Sequence, residues 1–160
     1  MSVSVSPASA GFRDLLHSGR FLYGIEVVTT RGPLTDDRPQ DVVSFAHGLL
    51  DNPRIGWISI TDNPGGGPML PPDWLAGKLP GRGANVVIHL TCKDLNRTGL
   101  EAAAWRYASE GFQNILALTG DYPTAGFRGL PNPVFDLDST GLIALLRLYH
   151  PHLSHDFWHN

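Results

Sequence analysis

Four short apolar runs, each followed by a stretch of helical character, constrain this chain more than any other feature. The runs are residues 21–28 (FLYGIEVV), 55–60 (IGWISI), 85–89 (NVVIH) and 115–118 (ILAL). Each is too short for a stable helix and is closed by turn-forming or polar residues, which is how buried strands read. Between and after them, helical spacing sets apolar residues on one face. Residues 39–50 place Val42, Phe45, Ala46, Leu49 and Leu50 inward, and the segment after Thr98 does the same with Leu100, Ala103, Ala104, Tyr107 and Ala108. A short helix over 72–79 and a last helix capped by Asp138-Ser139, with Leu142, Leu145, Leu146 and Leu148 inward, complete the set. Residues 11–18 add a lead-in helix with Phe12, Leu15 and Leu16 on one side. Strand–helix order repeated four times predicts an α/β fold, a parallel sheet with right-handed crossovers. Four units are half of an eight-stranded barrel, which takes about 250 residues.

The boundaries have local causes. Asp36-Asp37 put acids at a helix start, where the dipole favours them, and Asn52-Pro53 ends that helix. Thr98-x-x-Glu101 has the form of a capping box, and Glu110-Gly111 supplies a stop. Gly and Pro cluster at 64–72, 80–83 and 123–133, between the periodic segments, and predict ordered loops. Residues 1–10, rich in Ser and Ala, predict a disordered N-terminus, 11–149 one partial barrel, and 150–160 a tail.

Composition removes whole classes of function. A net charge of -3 without a Lys/Arg cluster argues against a nucleic-acid partner. No apolar run approaches a membrane span, and residues 1–10 lack the form of a secretory signal. One cysteine, Cys92, excludes an intrachain disulfide and a cysteine-based zinc site. The tail holds four of the seven histidines, at spacings that fit no closed metal site. The expectation is a cytoplasmic enzyme or binding domain without a metal.

Parallel strands present their C-terminal ends along one rim, where α/β proteins place their chemistry. Here each strand brings a polar group to that rim: Glu26, Thr61, His89 and Asp121. Singly, each has a plain structural reading. Glu26 inside a strand is either an edge residue facing water or a buried acid with a raised pKa. Thr61-Asp62-Asn63 and Asp121 also suit turns, a lone strand-end histidine is commonly structural, and Gly65-Gly66-Gly67 permits close backbone approach without specifying a ligand. Lys93 and Asp94 read as a solvated pair, and Cys92 as an inert thiol. One site accounts for all four rim residues more economically than four separate reasons.

The segments GIEVV, WISITDNPGG, VIHLTCKDLNR, GFQNILALTGD and VFDLDS resemble the methylenetetrahydrofolate reductase family. They come in the family's order and approximate spacing, from Tyr23 to about Leu146, and the pair HLTC…LALTGD is specific. The variant TDNPGG with KDLNR and TGDYP resembles the branch whose catalytic domain is fused to, or works beside, further domains. The resemblance implies an α/β fold, a partial (β/α)8 TIM barrel of about four β/α units with parallel strands. It implies an FAD flavoprotein of one-carbon metabolism and methionine biosynthesis, an oxidoreductase reducing 5,10-methylenetetrahydrofolate to 5-methyltetrahydrofolate. Hydride would come from the reduced flavin, recharged by a reduced nicotinamide or a protein donor. By the same resemblance Glu26 is the general acid, and Asp121 lies near both pterin and flavin. Thr61, Asp62, Asn63, His89, Thr119, Gly120 and Asp121 hold the flavin, with Phe135 and Asp136 on a further flavin-contacting stretch. Two departures stand out: Thr119 occupies the place of a family arginine, and the family's later strands have no counterpart in these residues.

A half-barrel has open edges at residues 21–28 and 115–118, which predicts self-association or a partner chain that completes the barrel. The rival reading is a non-catalytic half-barrel module for binding or assembly. A pterin-using methyltransferase half-barrel would explain the acidic rim but not the full HLTC…LALTGD match.

Overall fold

The computed structural model describes residues 11–80, 85–124, 126 and 129–149. The expected disordered N-terminus over 1–10, the tail over 150–160 and most of the 80–83 loop lie outside the described residues.

Four strands, β1 (Tyr23–Val27), β2 (Ile55–Ile60), β3 (Val86–Thr91) and β4 (Ile115–Leu118), form one sheet in chain order. All three pairings are parallel. The helices are α1 (Phe12–Leu16), α2 (Asp37–Leu50), α3 (Pro72–Ala76), α4 (Arg97–Glu110) and α5 (Ser139–Tyr149). Side chains alternate faces along a strand, so register sorts them. One face carries Val27, Ile58, Ile60, Ile88 and Leu90, packed under Ala46 of α2, Leu75 of α3, Leu100 and Ala104 of α4, and Leu142 and Leu146 of α5. That is the core. The opposite face carries the polar residues, and its N-terminal end is closed by Trp57. The Trp57 ring lies over Gly24, where any Cβ would collide with it, and Phe12 meets it edge-on at 5.7 Å.

Several elements differ from their sequence expectation. Helix α4 begins at Arg97 rather than after Thr98, because Asn96 is the cap: its side chain accepts from the Gly99 N–H at 3.0 Å. The stop is as expected, with Gly111 at φ 80 in the left-handed region. Phe112 N–H bonds to Tyr107 O at 3.0 Å and Gly111 N–H to Ala108 O at 3.2 Å. Those are the two bonds of a Schellman motif, and the Phe112 ring packs on Tyr107 as its apolar contact. Strand β3 runs two residues past His89, since Thr91 pairs with Leu118. Phe45, Ala108 and Leu148 are exposed rather than inward, because the apolar stripes of α2, α4 and α5 are narrower than the sequence spacing allows. Helix α3 stops at Ala76, short of the expected Leu79.

Candidate functional site at the C-terminal rim of the sheet

Register brings three of the four rim residues to one face. Glu26 pairs with Ser59, and Ser59 with Val87. His89 lies two residues beyond Val87 and Thr61 two beyond Ser59, so Glu26, Ser59, Thr61, His89 and Thr91 share the face away from the helices. His89 is 7% exposed and Thr61 6%. Both are buried, yet among the described residues His89 Nε2 and Thr61 Oγ1 have no hydrogen-bond partner. Leaving such atoms unpaired costs about 1–3 kcal/mol each, a cost that a ligand's polar atoms would remove. Burial lowers the His89 pKa below 6.5 against the opposing pull of the Glu26 and Asp62 carboxylates. Near neutral pH the ring is therefore uncharged and offers one donor and one acceptor.

Glu26 itself is exposed. Of the two sequence readings the structure takes the edge residue facing water and not the buried acid, because among the described residues β1 has a neighbour on one side only. Asp121 is exposed on the loop past β4, three residues beyond Leu118. It stands at the C-terminal rim, past the end of β4 and so outside the register that sorts the other three.

Beneath the rim lies a polar network that the sequence did not reveal. Lys93 is 3% exposed. Its ammonium donates to Asp62 O at 2.9 Å, Thr91 Oγ1 at 2.9 Å and Asp94 Oδ2 at 2.8 Å, using all three protons. The expected solvated Lys93–Asp94 pair is therefore a buried bridge. The Asp62 carboxylate accepts from Thr91 N–H at 3.0 Å and Thr91 Oγ1–H at 2.9 Å. Its pKa is nonetheless raised, because burial outweighs those bonds and the nearby Lys93 charge. Asn63 sits in the left-handed region at φ 43. Its amide holds it there, donating to Asp94 Oδ2 at 3.1 Å and accepting from Met69 N–H at 2.9 Å. The side chains of Asp62 and Asn63 are thus committed to protein partners.

The remaining candidates serve the same scaffold. Gly120, at φ +87, passes Lys93 so closely that an added Cβ would lie 3.2 Å from the Lys93 Cβ. Thr119 Oγ1 accepts from Ser139 N–H at 2.9 Å and Asp138 Oδ1 from Gly141 N–H at 2.7 Å, together starting α5. Asp136 Oδ2 accepts from Arg97 N–H at 2.8 Å, at the start of α4. Phe135, at φ 45, hydrogen-bonds through its N–H to Cys92 O at 3.1 Å and packs edge-on against Tyr122. Cys92 is fully buried with its thiol pKa raised, chiefly by burial, which fits an inert thiol. Among the described residues no group of His, Cys, Asp and Glu could hold a metal ion, and no helix is long and apolar enough to cross a membrane.

A parallel sheet backed by helices on one face, with unpaired polar atoms on the other near the strand C-termini, defines a β/α-barrel-type protein with a rim site. The sequence profile of methylenetetrahydrofolate reductase matches residues 12–153, and the chain belongs to that family. Its fold is accordingly a partial (β/α)8 barrel, and membership supports a reductase-type function in one-carbon metabolism. No curated protein matches the chain significantly.

Proposed function

We propose that the rim binds FAD and a folate, and that the chain serves the reduction of 5,10-methylenetetrahydrofolate to 5-methyltetrahydrofolate. One observation carries the reading. His89 Nε2 and Thr61 Oγ1 are buried, unpartnered and on one face with Glu26, which is what a site for a flat ring with polar edges requires. The residues fit the cofactor: His89 offers a neutral ring nitrogen and Thr61 a hydroxyl, with Gly120 just past the end of β4 packed over the Lys93 stem. When bound, the reduced flavin supplies the hydride. Before that, Glu26 would give a proton from its carboxyl to the folate, so that the five-membered ring opens to an iminium able to accept hydride, and a ring system laid over the face keeps water from that carboxyl, as general acid catalysis needs. Asp121 supplies a fixed negative charge at the pterin end. Asp62, Asn63, Thr119, Phe135 and Asp136 contribute by fixing the loops around the cofactor. A reduced nicotinamide or a protein serves as electron donor.

Closure of the free edges of β1 and β4 by a second copy or a partner chain belongs to the same proposal. An assembly mass above that of one chain supports it, and a monomeric sedimentation profile counts against it. A cytoplasmic location goes with the reading, in keeping with Cys92 being free and buried. The decisive variant is Glu26→Gln, expected to keep flavin uptake and to slow methylenetetrahydrofolate reduction by about 100-fold or more. A well-folded, colourless chain that takes up neither flavin nor folate would replace this reading with the non-catalytic module.

A further inference from the structure

The loops beyond the rim line an open cleft of about 610 Å³, within the roughly 300–1,000 Å³ range of small-molecule sites. Arg31 and Gly32 follow β1, Gly67, Met69 and Leu70 follow β2, and Gly126 comes from the loop after β4. The cavity therefore spans the sheet's C-terminal end, and Arg31 lies five residues past Glu26. We infer that it is an oxyanion subsite, in which Arg31 receives a carboxylate or phosphate of a ligand whose body lies along Met69 and Leu70.

Three observations support it. First, among the described residues Arg31 is the one ionisable residue lining the cavity. Among the described residues its guanidinium has neither an ion-pair partner nor a hydrogen-bond acceptor, and only its backbone carbonyl is engaged, by the Thr30 hydroxyl at 3.2 Å. Its planar array of donors matches the two oxygens of a carboxylate or phosphate. Second, the guanidinium lies against buried Gly67, where any Cβ would run into it, so the backbone is shaped to seat this side chain. Third, the facing wall is fixed. Leu70 N–H bonds to Thr30 O at 2.9 Å, the Thr29 hydroxyl to Leu70 O at 2.6 Å, and Met69 N–H to Asn63 Oδ1 at 2.9 Å. Asp36, close to Gly32, neither lines the cavity nor pairs with Arg31. A preorganised cation beside an apolar wall selects a ligand with an anionic end and an apolar body. Which ligand supplies that end rests on the function proposed above: the glutamate tail of a folate or the phosphates of a nucleotide cofactor.

The test is calorimetric titration of the full chain with p-aminobenzoylglutamate and, separately, with pyrophosphate. Saturable binding of either, weakened at least tenfold by Arg31→Met and by Gly67→Ala and less by Arg31→Lys, supports the site. Preference for the first probe assigns it to the folate tail, and preference for the second to a nucleotide. Circular dichroism and the urea midpoint check that the variants stay folded, which the exposed position of Arg31 favours. Absence of binding by both probes, or binding unchanged in Arg31→Met, overturns the inference. No flavin is present in these titrations. A chain that binds a probe but no flavin therefore refutes the function above and not this site, and the reverse outcome refutes only the site.

Discussion

Replacing Lys93 by methionine tests whether the rim loops are held together as described. The substitution keeps the stem's volume and deletes an ammonium that is 3% exposed and bonded to three oxygens at 2.8–2.9 Å. Removing one partner of a buried ion pair costs about 3–5 kcal/mol. The lower end applies, because the Asp94 side chain is 27% exposed and can regain water, while Asp62 keeps both bonds from Thr91. The expected loss is thus about 3 kcal/mol. With a urea slope of about 2 kcal/mol/M, the midpoint falls by about 1.5 M, and the thermal midpoint by about 6–12 °C. Far-UV circular dichroism in urea reads this directly, and Lys93→Met/Asp94→Asn should recover part of the loss by removing the stranded charge. A midpoint shift under about 0.3 M would refute the reasoning. The bridge would then behave as an exposed pair, worth about 0–1 kcal/mol.

Other outcomes follow from the same geometry. Thr61→Val removes an unpartnered buried hydroxyl, so the chain without ligand should be unchanged or stabilised by up to about 1–2 kcal/mol, while flavin affinity drops; a destabilised variant would mean the hydroxyl already has a partner. His89 has a folded pKa below 6.5, so its contribution is fully present above that value and is lost as pH falls through the folded pKa. Wild type should therefore lose stability relative to His89→Gln as pH falls from about 6.5 through the lowered folded pKa, read from paired urea midpoints. Asp62 opposes this at lower pH: with its pKa raised, its contribution is complete below 3.8 and fades as pH rises through the folded value. Asp136→Ala removes an acceptor at the α4 N-terminus and should cost about 1 kcal/mol, seen as a urea midpoint shift.

The strand order, the parallel pairing and the Gly111 stop were legible because short-range chemistry decides them. Apolar runs too short for helices must pair, and a glycine beyond a helix turns left-handed at little cost. The α4 start differs from its sequence expectation because Asn96 and Thr98 are both good caps, and it is Asn96 that accepts from the Gly99 N–H three residues on. Thr91 is polar and looks like a residue past the strand, but the face it lies on is polar as well. Lys93 was the larger omission. Adjacent Lys and Asp read as solvated, and only the convergence of the loops after β2, β3 and β4 buries them. Thr119 and Asp136 likewise find their partners 20 and 39 residues away, a distance that no local pattern spans. Glu26 shows the opposite limit: its run is apolar, yet its place on an edge strand leaves it in water.

The account stands on His89 Nε2 being an unpartnered, buried atom that a bound flavin satisfies. Histidine-ring nitrogen NMR during a flavin titration tests that most directly. The account predicts that the ring nitrogens of His89 move on saturation while those of His47, whose ring already bonds Lys78 O at 3.1 Å on the helical side, stay still. A saturated complex with His89 unmoved would contradict it.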